Sequence, residues 1–143
     1  MKKFLFFLLT IFLSFQIKAQ NNNVDSLIKN LNNNQLYGTC NYVWVLKIDS
    51  KIADSLINIG KSVTPKLIEL LENPDKGIIA HCVLSKIWFS NFKSGSSFEN
   101  FKKKGIVQYN YNGLSFYEKD GKMIADKNTL SDNKKKWLEK IRE

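Results

Sequence analysis

The two prolines of the chain each stand where a helix can begin. Pro65 follows Thr64, and Pro74 follows Asn73. Proline fits the first turn of a helix because its missing N–H has no partner there, whereas inside a helix it breaks the ladder. The pattern predicts a short helix that starts after Thr64 as its N-cap, and a second helix over residues 76–89.

The second of these helices is apolar on most sides. A helix that is apolar all round is a buried helix, so we expect this segment to form the centre of the core. The residues that give it this character are Ile78, Ile79, Ala80, Cys82, Val83, Leu84, Ile87 and Trp88.

Four stretches of residues 49–88 form a pattern of helix ends and turns: they read LINIG at 56–60, VTPKLIELL at 63–71, NPD at 73–75 and LSKI at 84–87. With this pattern, residues 49–88 resemble a HEAT or HEAT-like repeat, over about one to one and a half units. It implies antiparallel helix pairs and a helical surface that binds other proteins. The chain departs from the family pattern at Ile79 and at His81-Cys82. Because stacked repeats need at least about three units, other elements must cover the exposed end.

The remainder of the segment 24–89 is also predicted to be mainly helical, with a loop over about residues 32–40 where a polar run and Gly38-Thr39 interrupt the pattern. Residues 24–31 place apolar side chains at helical spacing. The string YVWVLKI from Tyr42 fits either a strand or a buried helix, but apolar residues continue at steps of three and four as far as Gly60. We therefore predict a helix from Tyr42 that stops at Gly60.

The C-terminal third predicts strands and a last helix. A Gly/Ser segment predicts a loop over residues 90–105. Asn112-Gly113 is a strong signal for a two-residue hairpin turn, and Asp120-Gly121 marks a second turn, so residues 106–125 are predicted to form a three-stranded β-meander. A helix is predicted over 129–142. The predicted fold class is α+β and mainly α.

The first 19 residues have the pattern of a cleaved secretory signal. Lys2 and Lys3 precede an apolar run over residues 4–15, and Ala19 provides the small residue at the cut. The run is shorter than the about 20 residues that a membrane-spanning helix needs; an uncleaved interfacial anchor is the alternative. We expect a leader at 20–23, one domain over 24–143, a periplasmic or secreted location and no transmembrane span in the mature chain.

The charge of the chain favours acidic partners. The formal net charge is +9, and removal of the three lysines in residues 1–19 leaves +6. Export makes nucleic acid an unsuitable partner, so an anionic envelope polymer is the remaining polyanion; a solvated surface is the alternative interpretation. The candidate contacts are Lys102, Lys103, Lys104, Lys134, Lys135 and Lys136.

The two cysteines predict one disulfide. Exported proteins pass through an oxidising compartment, so Cys40 and Cys82 are the expected pair. A buried free thiol at Cys82 is the alternative. The pair would close a long loop and stabilise the fold chiefly through the unfolded chain.

His81 is the only histidine, which excludes a site with several histidine ligands. His81 and Cys82 are neighbours on a helix, point about 100° apart and cannot act as a nucleophile and base pair. A Cys40/His81 dyad of a thiol-dependent hydrolase is the enzymatic alternative, and a core or edge histidine with a hydrogen-bonded ring nitrogen is the structural one. Glu69 and Glu72 are interpreted as a solvated pair.

These patterns predict a small exported protein without a catalytic site, cofactor or metal. Its expected role is that of a protein-interaction module, with another exported or envelope protein as its partner. Binding of an envelope polyanion and thiol-dependent hydrolysis remain the alternatives.

Overall fold

The computed structural model describes residues 23–41, 43–89, 94–97 and 106–142, and it describes only the backbone at residues 40, 41, 43, 44 and 94–97. The predicted signal segment 1–19 and residues 20–22 of the predicted leader lie outside these ranges. The helices are α1 (23–30), α2 (Lys51–Ile59), α3 (Thr64–Leu70), α4 (Gly77–Trp88) and α5 (Lys127–Lys140). The strands are β1 (Leu36–Asn41), β2 (Val43–Ile48), β3 (Ser94–Ser97), β4 (Val107–Tyr111), β5 (Leu114–Lys119) and β6 (Lys122–Ile124).

Helix α4 lies at the centre of the core, as its sequence predicts. All residues from Gly77 to Ser85 are buried, and α4 contacts α2, α3 and β5. Its first residue has to be small, because a Cβ on Gly77 would overlap the backbone carbonyl of Leu71. The tight turn before α4 therefore depends on this glycine.

Helix α3 begins one residue earlier than predicted. Thr64 already has helical dihedral angles and is not an N-cap. Its Oγ1 accepts a hydrogen bond of 3.1 Å from Nε1 of Trp88. The hydroxyl that was expected to cap α3 therefore joins α3 to α4.

The prediction of a helix from Tyr42 is wrong, because residues 36–48 form the antiparallel hairpin β1–β2. Exposure alternates along β2: Val45 and Lys47 are exposed, whereas Leu46 and Ile48 are partly buried. This period of two is that of a strand. The helix starts only after Ser50, whose Oγ accepts a hydrogen bond of 3.1 Å from the backbone N–H of Ala53.

The predicted turn at Asn112-Gly113 and the β-meander are confirmed. Asn112 and Gly113 have positive φ of 46° and 87°, as a tight hairpin turn requires. The turn pairs Tyr111 with Leu114 and Tyr109 with Phe116. The inner face of the meander buries Val107, Tyr109, Tyr111, Leu114, Phe116 and Met123.

The segment predicted as a loop over 90–105 contains a fourth strand. β3 pairs antiparallel with β4, and the sheet order is β3-β4-β5-β6. A Ser/Gly stretch has low strand propensity, but pairing gives the backbone groups of β4 partners on its second edge. Tertiary pairing thus overrides the local sequence signal.

The hairpin β1–β2 packs against the inner face of the sheet. A Cβ on Gly38 would overlap the hydroxyl of Tyr109, and that hydroxyl donates a hydrogen bond of 2.9 Å to Oε2 of Glu118. The close approach needs a glycine at position 38. This contact places the face of the hairpin that contains Gly38 against the sheet. The opposite face of the hairpin, which contains Tyr37, is exposed.

Helix α5 closes the fold after the meander, as predicted, and spans Lys127–Lys140 rather than 129–142. Its buried residues are Leu130, Asn133 and Trp137. Nζ of Lys134 lies 2.6 Å from Oε2 of Glu72 on the exposed side. The chain is α+β and mainly helical, in agreement with the predicted fold class; the HEAT-like resemblance of residues 49–88 stays a prediction.

Candidate functional site

The side chain of His81 is held by hydrogen bonds at both ring nitrogens. Its Nε2–H donates to the backbone carbonyl of Tyr111 at 2.7 Å, and Nε1–H of Trp137 donates to its Nδ1 at 2.9 Å. His81 is only 1% exposed. The ring thus joins three elements, because it lies on α4, its acceptor on β4 and its donor on α5.

These partners fix the tautomer of the imidazole. An indole nitrogen can only donate and a carbonyl can only accept, so the proton must be on Nε2 and Nδ1 must be bare. Burial lowers the pKa of His81 from 6.5 to about 4, and the Lys136 charge acts in the same direction. The Tyr111 carbonyl and the Asn133 side chain act in the opposite direction. His81 is therefore neutral near pH 7, with neither nitrogen free to accept a proton.

One further hydrogen bond ties the β4–β5 turn to α4. Nδ2 of Asn112 donates to Oγ of the buried Ser85 at 3.0 Å, and this oxygen lies 3.4 Å from Nε2 of His81. Because Ser85 follows His81 by one helical turn, both polar groups meet the turn on one side of α4. The expectation of a core histidine with a hydrogen-bonded ring nitrogen is confirmed.

Cys82 is a fully buried free thiol. The disulfide with Cys40 that the sequence predicts is therefore absent from the structure; the Cys40 side chain lies outside the described residues. Burial raises the pKa of the Cys82 thiol above its usual range, and a protonated thiol is a poor nucleophile. Cys82 is therefore the buried free thiol that the sequence offered as the alternative to a disulfide.

A small cavity of about 160 Å³ opens next to His81. Phe89, at the end of α4, and Trp137 form aromatic walls, and Asn133, Lys136 and Lys140 line it from α5. Nδ2 of Asn133 is buried without a hydrogen-bond partner among the described residues. Leaving such a donor unpaired costs about 1–3 kcal/mol, which makes it an unusual feature of this core.

The lysines of residues 134–136 do not form one patch. Lys134 pairs with Glu72, and Nζ of Lys135 lies 3.1 Å from Oδ1 of Asp132. Of these three lysines, Lys136 alone lines the cavity, because successive helical residues point about 100° apart. The second predicted cluster, Lys102 to Lys104, lies outside the described residues.

Glu69 and Glu72 have separate surroundings. Glu72 accepts hydrogen bonds from Lys134 and from Oγ of Ser131, and these bonds lower its pKa below 4.5. Glu69 is exposed on α3. Within the described ranges, no group of three or more His, Cys, Asp or Glu side chains is placed to hold a metal ion.

The outer face of the hairpin is a second candidate site. Tyr37 lies opposite Lys47, and Thr39 lies opposite Val45. Tyr37 and Val45 are 43% and 44% exposed and are diagonal neighbours on this face. The sequence pattern predicts no such surface, because it favours a helix over the residues that form β2.

Among the described helices, none combines the length and the apolar character that crossing a membrane requires. Comparisons of the chain with protein-family models, with curated proteins and with solved structures found no match in any of the three. The site geometry is therefore the basis for the function proposed below.

Proposed function

We propose that the protein is a non-catalytic interaction module that binds another exported protein through the outer face of the β1–β2 hairpin. The observation that carries the proposal is the exposure of Tyr37 and Val45, 43% and 44%, on one face of a two-stranded hairpin. Aromatic side chains with exposed apolar neighbours are enriched in interfaces. The secretory signal predicted for residues 1–19 supports an exported partner.

The hairpin is a better candidate for this role than the helical surface that the HEAT-like resemblance implies. Of the described residues in α1 to α4, none is an exposed large apolar side chain. The helices instead support the hairpin: the backbone N–H of Asp49 donates to the carbonyl of Gln35 at 3.0 Å, and Oγ of Ser50 donates to the Gln35 side chain at 2.8 Å. These bonds anchor both ends of the hairpin at the start of α2.

The partner that fits this face is an acidic, extended segment with apolar residues. Lys47 lies opposite Tyr37 on the same face, and the net charge of +6 that remains after removal of residues 1–19 attracts acidic proteins. In its two-stranded sheet, β1 is paired on one side by β2. Addition of a strand to the other edge supplies backbone hydrogen bonds, and Tyr37, Val45 and Lys47 supply specificity.

The two alternative functions receive less support. A Cys40/His81 dyad needs a ring nitrogen that can accept a proton, whereas Nδ1 of His81 already accepts from Trp137. Polyanion binding needs a cluster of unpaired cations, whereas Lys134 and Lys135 are each in an ion pair and Lys136 points to a different side of α5. We therefore place the interaction module first.

Site-specific crosslinking tests the proposal. A photoreactive phenylalanine analogue replaces Tyr37 or Val45 in cells that express the protein, and the same analogue at the exposed Glu69 of α3 is the control. We expect one acidic protein to be captured from positions 37 and 45 and not from 69. Equal capture from all three positions would contradict the proposal.

Binding of the purified partner provides the second readout. Lys47→Glu is expected to weaken binding at low salt by about tenfold or more, because it reverses a charge at the interface. Lys135→Glu makes the same change in net charge on α5 and is the matched control. If both variants bind as tightly as the wild type, the hairpin face is not the interface.

A further inference from the structure

Helix α5 is the last described element of the chain, and few of its side chains hold it to the rest. Of its 14 residues, only Leu130, Asn133 and Trp137 are buried. The four-stranded sheet is built from β3, β4, β5 and β6 alone, so its strand pairing does not depend on α5. A terminal helix of this kind can open locally while the remaining elements stay folded.

One of the three buried side chains weakens the attachment of α5. Nδ2 of Asn133 has no hydrogen-bond partner within the described part of the chain. Water can bind this donor once α5 has left, which offsets part of the cost of exposing Leu130 and Trp137. The attachment of α5 therefore depends strongly on its polar contacts with α3 and α4.

The polar contact between α5 and α4 exists in one protonation state only. Nε1–H of Trp137 donates to Nδ1 of His81 at 2.9 Å, and Nε2–H of His81 donates to the Tyr111 carbonyl at 2.7 Å. A second proton on the imidazole has to bind Nδ1, where it faces the indole N–H. Because neither group can then accept a hydrogen bond, protonation turns this attraction into a repulsion.

The charged groups that face His81 are positive. On α5, Lys136 acts to lower the pKa of His81, and Lys140 lines the cavity beside the ring. The β4–β5 turn contributes Asn112 and Gly113 to this cavity, and none of its described lining residues is an Asp or Glu. A charge on His81 therefore has no counter-charge in the cavity while α5 is attached.

The uncharged neighbours of His81 do not compensate for this. On α4 and β4, burial raises the pKa values of the Cys82 thiol and the Tyr111 phenol, so neither becomes an anion at neutral or acidic pH. The Tyr111 carbonyl and the Asn133 side chain favour the protonated ring, but burial acts more strongly and lowers the pKa of His81 from 6.5 to about 4. The ring accepts a proton more readily once α5 has left and water reaches it.

The polar contact between α5 and α3 is lost only at lower pH. Glu72 accepts hydrogen bonds from Nζ of Lys134 and Oγ of Ser131, and these bonds, with a smaller effect of the Lys127 charge, lower its pKa below 4.5. A carboxylate with a lowered pKa stabilises the folded state above its ordinary pKa, and this stabilisation is lost as the pH falls through the lowered pKa. The Glu72 contacts therefore persist at pH 5.

We infer that α5 is an acid-released latch, a terminal helix that detaches from α3, α4 and the sheet when His81 takes a second proton at Nδ1. The rest of the domain stays folded. Release exposes Leu130 and Trp137 and uncovers Phe89, whose ring centroid lies 6.0 Å from that of Trp137. The latch uses none of the hairpin residues and is independent of the proposed function.

Amide hydrogen exchange of the full mature chain, followed by NMR and corrected for the intrinsic pH dependence of exchange, tests the latch. The pKa of His81 is about 4 when α5 is attached and returns to 6.5 on release, so attachment is favoured at neutral pH and weakens as the pH falls from about 7 to about 4. The linkage gives an about twentyfold rise in the opening constant of α5 between pH 7 and pH 5.

The amides of α4 report global unfolding in the same experiment. We expect the amides of α5 to exchange through an opening that is about tenfold or more populated than the opening that exposes α4, at both pH values. Equal opening constants for α5 and α4 would show that α5 leaves only when the whole domain unfolds. An α5 opening constant that is the same at pH 7 and pH 5 would equally overturn the latch.

Two variants assign the pH dependence to His81. His81→Gln lacks the titrating ring, so its α5 opening constant should change less than twofold between pH 7 and pH 5. Glu72→Gln removes the other titrating contact; it should raise the opening constant at both pH values and keep the about twentyfold ratio. A ratio that persists in His81→Gln or disappears in Glu72→Gln would refute the role of His81.

Trp137→Phe provides a third readout that keeps the histidine in place. It removes the indole N–H that faces Nδ1 and retains an aromatic ring, so a proton on Nδ1 no longer meets a donor. We expect the ratio of α5 opening constants between pH 5 and pH 7 to fall below that of the wild type. An unchanged ratio would show that the contact between Trp137 and His81 does not control the release.

Discussion

The indole N–H of Trp137 donates a hydrogen bond of 2.9 Å to Nδ1 of His81, and this bond assigns the only histidine of the chain to the core. The indole cannot accept a proton in return. A protonated His81 would direct an N–H at another N–H, inside a site that burial already makes unfavourable for charge. The pair therefore joins α4 to α5 only while the imidazole is neutral.

Replacement of Trp137 by phenylalanine is expected to raise the pKa of His81 and to lower the free energy of unfolding by about 1–3 kcal/mol, because Nδ1 loses its donor. Titration of the His81 ring protons by NMR and urea unfolding measure the two effects. Trp88→Phe is the control, since Trp88 donates to Thr64 instead. It also removes an indole but is expected to leave the His81 pKa unchanged; an equal shift in both variants would refute the pairing.

The stability of the protein is expected to fall as the pH decreases from about 7 to about 4. The pKa of His81 is lowered from 6.5 to about 4 in the folded chain, so in this window the unfolded chain binds a proton that the folded chain does not. The linkage gives a loss of about 3 kcal/mol. Urea unfolding at several pH values measures this loss of free energy of unfolding. The variant His81→Gln lacks the titrating group, so its free energy of unfolding should fall by about 3 kcal/mol less between pH 7 and pH 4. Identical slopes would contradict the buried neutral ring.

Substitution of Gly38 by alanine is expected to destabilise the fold by about 1–3 kcal/mol, because the added methyl group overlaps the Tyr109 hydroxyl. In the Tyr109→Phe background the oxygen is gone, so the same substitution should cost less than half as much. A double-mutant cycle by chemical unfolding gives this coupling. Additive effects would show that the hairpin does not pack on Tyr109.

The Cys82 thiol is expected to resist modification in the folded protein. Its side chain is fully buried and its pKa is raised, so a disulfide reagent at pH 8 should react only when the chain opens. The measurement uses a Cys40→Ser variant, in which Cys82 is the remaining thiol. Reaction should become fast in denaturant; fast reaction under native conditions would contradict the packing of α4.

The sequence alone predicts the turns and helix ends at which one or two residues restrict the backbone. Asn112-Gly113 specifies a turn whose φ values few other residues adopt, and the pairing of Tyr109 with Phe116 follows from it. Gly60 has φ of 79° at the end of α2 and stops that helix, as predicted. In each case one or two residues restrict the backbone regardless of the rest of the chain.

The errors occurred where the sequence leaves the choice to tertiary contacts. β2 is too short and too apolar for periodicity to separate strand from helix. Ser50, a residue type that commonly caps helices, was the available signal that the helix begins only at Lys51. The candidate sites needed the structure. Nothing in the sequence shows that Asn133 has no partner, since partners of a side chain are set by the packing of α5. Its position three residues after Leu130 and four before Trp137 was the available signal.

The nitrogen NMR spectrum of His81 shows most directly whether its ring is a neutral part of the core. We expect the Nε2–H tautomer at pH 7, an indole N–H of Trp137 coupled across the hydrogen bond to a bare Nδ1, and no titration of the ring above pH 5. A ring that titrates near its ordinary pKa of 6.5, with both nitrogens exchanging with water, would refute the buried neutral imidazole and reopen a catalytic role for His81.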